Sequence, residues 1–399
     1  MNKIRRLVRP AYFIVQGGYW MSICVANSYA AVFLQGRGFS NSELGLILAL
    51  GNISGLLLSP WLASVVDRSR RLGLYHCLWA LLCVQALALC GCCMIPGSGL
   101  GLSLMYILYM AVVVSINPLN TQLCFELSDW AMPVSYSPAR GIGSLCYALM
   151  SLALGRLTLS LGSDMLPLAG LFCLLLQAAS TGLITAVRLS MGLPLAIQPH
   201  KAKDKAEGLS LPAFIAENKR FCFLMLGLAL IFFSYNISDF FMINILRSLG
   251  GNEADLGKIS CFKAMLELPA MLMFSRLTYR FKCSSVCTFA ALAFVAKAVL
   301  IAISAEVWML YLANIFQLIS FGLMIPALVQ YVNLVIDPKD LTKGQALNHG
   351  MTTMGGIFAS LIGGWLFDSL SISTTLFIAV MISVCGALIV SLSLERQRA

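Results

Sequence analysis

Charge is what this sequence has least of. Asp, Glu, Lys and Arg make up 11% of its 399 residues, where a soluble domain carries roughly a quarter. A chain so poor in charge cannot clothe a water-soluble body. Histidine is scarcer still, with only His76, His200 and His349. No cysteine pair stands at zinc-site spacing beside one of them, and no nucleophile elbow or paired nucleophile and base is present. A Gly-x-x-x-x-Gly-Lys-Ser/Thr stretch is also missing, which excludes ATP as a direct energy source. The alternating segments of about ten residues that build membrane barrels do not occur. The chain is therefore expected not to be an enzyme, and to hold neither a metal nor a cofactor.

Hydrophobic residues account for 59% of the chain. They fall into runs of about twenty, each long enough to cross a hydrocarbon core of ~30 Å. In lipid the backbone must satisfy its own polar groups, so such runs are helices. Twelve spans are predicted, at 10–34, 43–66, 72–95, 100–127, 140–162, 165–188, 221–247, 256–277, 284–304, 306–331, 345–368 and 373–394. The basic residues before the first run (Lys3, Arg5, Arg6, Arg9) look like the charged region of a signal peptide. The run is long and lacks a small-x-small cleavage site, so it reads as a retained first span. Most of the 14 cysteines, among them Cys90, Cys92, Cys93, Cys173 and Cys385, sit inside apolar runs, where cysteine serves as a small hydrophobe.

Most Lys and Arg residues cluster at the N-terminus, after span 2 (Arg68, Arg70, Arg71), across 188–220, after span 8 (Arg276, Arg280, Lys282) and at the C-terminus. The positive-inside rule then puts both termini in the cytoplasm, in an inner or plasma membrane. Attraction to anionic inner-leaflet lipid accounts for the formal net charge of +10 without a nucleic-acid partner. The polar stretch 189–220 divides the chain into six spans (1–188) and six spans (221–399). Shifted by about 212 positions, the first half lays Glu43-Leu44-Gly45 on Asp255-Leu256-Gly257, Ile47 on Ile259 and Arg68 on Arg280. The expected fold is an all-α membrane protein of twelve transmembrane helices, arranged as two parallel six-helix repeats. That is the architecture of the major facilitator fold.

The loop after span 2 resembles the signature of the major facilitator superfamily, roughly Gly-x-x-x-Asp-(Arg/Lys)-x-Gly-(Arg/Lys)-(Arg/Lys). Here it reads Ala63-Ser64-Val65-Val66-Asp67-Arg68-Ser69-Arg70-Arg71, without the leading glycine. The resemblance implies a gating role for Asp67, Arg68 and Arg71. Within the superfamily the chain is most similar to the bacterial lactose permease and its oligosaccharide–proton symporter group, with related aromatic-acid permeases. Four stretches carry that likeness: LQGRGFSNSELGLILA at 34–49, ARGIGSLCYAL at 139–149, SYNISD at 234–239 and MLEL at 265–268. In that group an arginine on span 5 is followed seven residues later by an aromatic on which a sugar ring stacks, and a glutamate on span 4 pairs with the arginine. The counterparts are Arg140, Tyr147 and Glu126. Tyr235 and Asp239 follow the group's span 7, Glu267 its span 8, and Lys297 replaces an arginine of span 9. The group's lysine, histidine and glutamate of span 10 become Asn314, Gln317 and Ser320. Its first span 7 acid becomes Asn236, and the lysine on span 11 becomes Thr352.

The residues themselves single out the same positions. An ionisable group inside a membrane helix costs at least ~2.5–3.5 kcal/mol unless it is paired or faces water. Arg140 presents a planar fork for hydroxyls or a carboxylate, with Glu126 at hand to neutralise it, or it is a positive-inside anchor. Tyr147 lies about two turns further along the same face. Tyr235 and Asp239 share one face of span 7, with Phe232 nearby, and a carboxylate in this setting can take up and release protons. Lys263 and Glu267 are spaced i, i+4, as an intrahelical ion pair or as a pair that opens for substrate. Lys297 needs a partner from another helix, for which Asp239 and Glu267 are the obvious choices. Asn314, Gln317 and Ser320 form an i, i+3, i+6 polar stripe, as interhelical glue or as lining of the solute path. Gln16, Tyr19 and Asn27 are weaker lining candidates. His349 reads as a satisfied polar residue, and Arg156 as a snorkelling one.

The function expected is secondary active transport by alternating access, moving a sugar or glycoside with protons. The alternatives are an organic or aromatic acid permease, or efflux of small hydrophobic compounds. The expected substrate-binding residues are Glu126, Arg140, Tyr147, Tyr235, Glu267, Asn314 and Gln317. Asp239, Glu267 and Lys297 are the expected coupling residues. The expected partners are a small-molecule substrate, the proton and the bilayer, and the chain is expected to be a monomer.

Overall fold

The structure, a computed structural model, describes residues 2–69, 72–129, 134, 136–193, 195 and 210–394. Every predicted span is helical, and no strand occurs among the described residues. Among the described residues nine helices are by themselves long and apolar enough to cross a membrane, from Asn41–Val66 (span 2) to Ile372–Ser393 (span 12). Spans 1, 8 and 10 fall outside that set for physical reasons. Span 8 (Glu253–Arg280) carries Lys258, Lys263 and Glu267, and spans 1 and 10 are broken. Large apolar side chains that a soluble protein would bury stand outward, among them Met94, Leu57 and Leu392, and lipid is the medium that receives them. No disulfide joins any of the fourteen cysteines.

Span 1 runs as an α-helix over Asn2–Ile23, widens into a π-turn at Cys24–Ser28, and resumes at Ala30–Gly36. A π-turn leaves carbonyls short of their usual amide. Here the hydroxyl of Tyr106 donates to the Ala26 carbonyl (2.9 Å) and that of Tyr109 to the Ser22 carbonyl (3.2 Å). Span 7 breaks as well, with Lys219–Phe240 followed by Met242–Ser248 across Phe241. Span 10 consists of Val307–Ile315 and Phe321–Val335 joined by an irregular turn.

The chain forms two compact units, Met1–Lys201 and Ala202–Ala399. The offset seen in the sequence reappears in their backbones. Ser40 caps span 2 in a reciprocal capping box with Glu43, and Asn252 caps span 8 in the same way with Asp255. Before each cap stands a glycine at positive φ, Gly38 at 93° and Gly250 at 77°, a conformation that a side chain would strain. The breaks in spans 1 and 7 also correspond, Tyr29 in the first unit matching Phe241 in the second.

In the second unit the apolar core is built on span 7, with spans 9 and 10 and Ala387 and Val390 of span 12. A side chain on Gly227 would meet the Gly386 carbonyl at 2.9 Å, and one on Gly355 would meet the Ala229 carbonyl at 2.6 Å. Small residues thus bring spans 7, 11 and 12 into backbone contact, which is how helices gain packing energy in lipid. Phe241 at the break of span 7 stacks on Phe367 of span 11, with centroids 4.8 Å apart.

Candidate functional site

In the second unit, spans 7, 8, 9 and 10 converge their polar side chains on Gln317. Its carboxamide oxygen accepts from the ammonium of Lys297 (2.5 Å). Its nitrogen donates to the carboxylate of Glu267 (2.8 Å) and to the hydroxyl of Tyr235 (3.3 Å). The amide therefore relays between a cation and an anion that do not touch. Asp239 is ion-paired with Lys263. Two lysines and two acids balance formally, as burial requires. Lys297 is 4% exposed and Gln317 fully buried.

Tyr235 is the aromatic centre of this cluster. The ammonium groups of Lys297 and Lys263 stand 5.0 and 5.6 Å from its ring centroid, within cation–π range. Phe321 stacks on it at 5.5 Å, and Phe294 meets it edge-on at 5.6 Å. Beside it a small pocket is lined by Lys297, Asp239, Ser234, Ser238 and Ser383. The hydroxyls of Ser234 and Ser383 are buried there without a hydrogen-bond partner. Other helical serines and threonines of the unit, such as Thr288, Thr353 and Ser391, spend theirs on a carbonyl one turn back.

Four expectations are corrected here. Lys263 pairs across to Asp239, in the last turn before the break of span 7, and not along its own helix to Glu267. Lys297 reaches neither acid directly; its hydrogen-bond partner is Gln317. Asp239 is accordingly held by Lys263 and not by Lys297. Asn314, Gln317 and Ser320 do not form a stripe on a continuous helix, because the helix stops at Ile315 and restarts at Phe321. The break turns Gln317 into the cluster, while Asn314 and Ser320 bond the carbonyls of Leu310 and Phe316. The close approach of spans 8 and 10 rests on Gly322, where a Cβ would lie 2.6 Å from Ala270 Cβ.

The first unit holds a second cluster. The guanidinium of Arg140 lies over the indole of Trp20 (3.5 Å) and donates to Ser144 Oγ (2.6 Å). Gly143 makes this possible, since a Cβ there would meet Trp20 Cδ1 at 2.3 Å. Tyr147 shares a hydrogen bond of 2.5 Å with Ser28, inside the π-turn of span 1. Tyr19 stands edge-on to Trp20 at 5.5 Å, and Gln16 donates to Tyr12 (2.7 Å). Glu126 is ion-paired with Arg188, not with the Arg140 expected from the resemblance. Arg188, read from sequence as a loop charge, is 4% exposed and sits 4.8 Å from the ring of Tyr75. Arg188 is itself buried near the end of span 6, so it needs an acid, and Glu126 supplies one. His349 and Arg156 are exposed.

Of the expected gating residues, Arg71 lies outside the described residues, as do the side chains of Asp67 and Arg68. Sequence reasoning missed Trp20, Phe294, Phe321 and Arg188. Gly143, three residues after Arg140, was the one available sign that an aromatic plane needs room there. Among the described residues no group of three or more His, Cys, Asp or Glu could hold a metal.

Twelve membrane spans in two units of corresponding build, each with a cluster of polar and aromatic side chains inside its helices, define a multi-pass membrane transporter. The profile of the MFS_1 like family matches residues 12–379, and the chain belongs to that family. It is a secondary transporter of the major facilitator type and not an enzyme, and its substrate is a small molecule. A maltose permease of Geobacillus stearothermophilus is 26% identical over 371 residues, covering 92% of this chain and 90% of that protein. In fold the chain is similar to the nucleoside transporter NupG, with a TM-score of 0.77, 17% identity and 100% of both chains covered. It is also similar to a POT family peptide transporter, with a TM-score of 0.74, 13% identity and coverage of 99% and 98%.

Proposed function

We propose that the protein moves a sugar or glycoside together with protons by alternating access. The observation that carries this reading is the Lys297–Gln317–Glu267 relay beside Tyr235. A sugar hydroxyl is both donor and acceptor, so it can take the place of the Gln317 amide toward Glu267 and toward Lys297 alike. The hydroxyl of Tyr235, which already accepts from Gln317, adds a further polar partner beside them. In the first unit, Trp20 and the Arg140 fork supply a ring and a bidentate donor. The 26% identity to a maltose permease over most of both chains supports the sugar reading.

Proton coupling is assigned to Asp239 and Glu267, with Lys263 and Lys297 as the cations that compete with the proton for them. Both termini and the segment 189–220 lie on the cytoplasmic side in this reading, and Asp67, Arg68 and Arg71 gate that side. Two buried lysines and Arg140 also suit an organic anion, which is the second reading.

Uptake of a panel of sugars and organic acids into proteoliposomes, with and without an imposed pH gradient, tests both. Accumulation of a neutral sugar that collapses with the gradient is expected. Transport that ignores the gradient would remove proton coupling, and hits confined to carboxylates would favour the second reading.

A further inference from the structure

A cavity of the second unit lies away from the polar cluster. It is a groove of about 1130 Å³ walled by spans 8, 9 and 10. Its walls are apolar, with Met273, Leu277, Phe289 and Leu323 among them, and Arg276 and Arg280 stand at one end. Met273 and Phe289 are 60% and 54% exposed. In a chain that crosses the bilayer, such an opening is filled by lipid.

We propose that this groove is a binding site for an anionic phospholipid, with one acyl chain in the groove and the phosphodiester on Arg276 and Arg280. Length and charge select this occupant. From Ala270 to Arg280 the groove follows span 8 for about 15 Å at the helical rise. That is half of a ~30 Å hydrocarbon core, the depth of one leaflet. The two arginines are spaced i, i+4 and so share a face about 6 Å apart along the axis. Each guanidinium can take phosphate oxygens through two parallel bonds. Tyr279 stands next to Arg280, where an amphipathic ring settles at headgroup level. Basic pockets of this kind between spans are the form in which membrane proteins select anionic headgroups. A polar solute finds no use for so apolar a wall.

The test uses the full chain purified in mild detergent. Native mass spectrometry and thermal unfolding are run with added phosphatidylglycerol and, separately, phosphatidylcholine of the same acyl chains. Wild type is expected to retain phosphatidylglycerol adducts at least tenfold more strongly, and to unfold at higher temperature with it than with phosphatidylcholine. The double substitution Arg276→Gln, Arg280→Gln should abolish that preference. Ser285→Trp, which fills the groove from an exposed wall position and keeps both arginines, should also lose the adduct. Equal retention of the two lipids by wild type would overturn the proposal. So would full retention by Ser285→Trp, because the arginines would then attract headgroups without the groove.

Discussion

Lys263 makes its ion pair with Asp239 of span 7, although Glu267 stands one turn along its own helix. A buried pair of this kind is weak evidence for stability, but removing one partner strands the other. Asp239→Asn or Lys263→Met alone should therefore cost about 1–3 kcal/mol, less than in a fully buried pair because the Asp239 side chain is 27% exposed. The double substitution should recover most of it, as read by thermal unfolding in detergent. Recovery of folding without recovery of transport would mark the pair as functional, and recovery of both would make it structural only.

Gln317 holds Lys297 and Glu267 through one amide. Gln317→Leu keeps the size and removes the relay, so uptake is expected to fall at least tenfold, and the unfolding temperature to fall with it because Lys297 loses its partner. Gln317→Glu, which would bind Lys297 directly, should lower transport and change its pH profile. Transport at wild-type level in Gln317→Leu would show that the relay is not part of the solute path.

Arg140 sets a planar guanidinium over the ring of Trp20, which a lysine cannot reproduce. Arg140→Lys and Trp20→Ala should each raise the KM for uptake severalfold with smaller effects on the maximal rate. Glu126→Gln separates the two arginines. Because Glu126 pairs with Arg188, the substitution should lower expression and thermal stability. Arg188→Gln added to it should restore them. A change confined to substrate affinity would instead tie Glu126 to Arg140.

Gly322 allows spans 8 and 10 to touch one turn from Glu267. Gly322→Val should destabilise the second unit by about 1–3 kcal/mol through overpacking. It should also reduce transport, through displacement of the Gln317 turn. An unchanged unfolding temperature would mean that the contact is slack.

The scaffold was readable because lipid leaves the backbone few choices. Twenty apolar residues mean a helix, and loop charges mean ends. The breaks were not readable. Residues 316–320 are apolar or uncharged and could continue a helix, and it is hydrogen bonding inside the unit that unwinds them. The site was partly legible for the same reason. Glu126, Asp239, Glu267 and Lys297 stood out as charges in apolar runs, yet pairing is a property of helix rotation and depth, which spacing along one helix does not encode. The sequence offered Glu267 to Lys263, and span 7 offered Asp239. Arg188 was lost to the rule that basic residues at span ends face the membrane surface, and Trp20 because an aromatic in an apolar run carries no signal of its own.

The matched caps of spans 2 and 8 put two pairs of positions in register. Lys263 and Glu267 of the second half correspond to Gly51 and Gly55 of the first. A side chain on Gly51 would meet Met110 Cβ at 2.6 Å, and one on Gly55 would meet Val114 Cβ at the same distance. The same two places on a duplicated hairpin therefore serve opposite ends, one copy cementing helix to helix and the other holding ions apart from lipid. In the second copy these two places carry charge, and it is there that the chain places its chemistry.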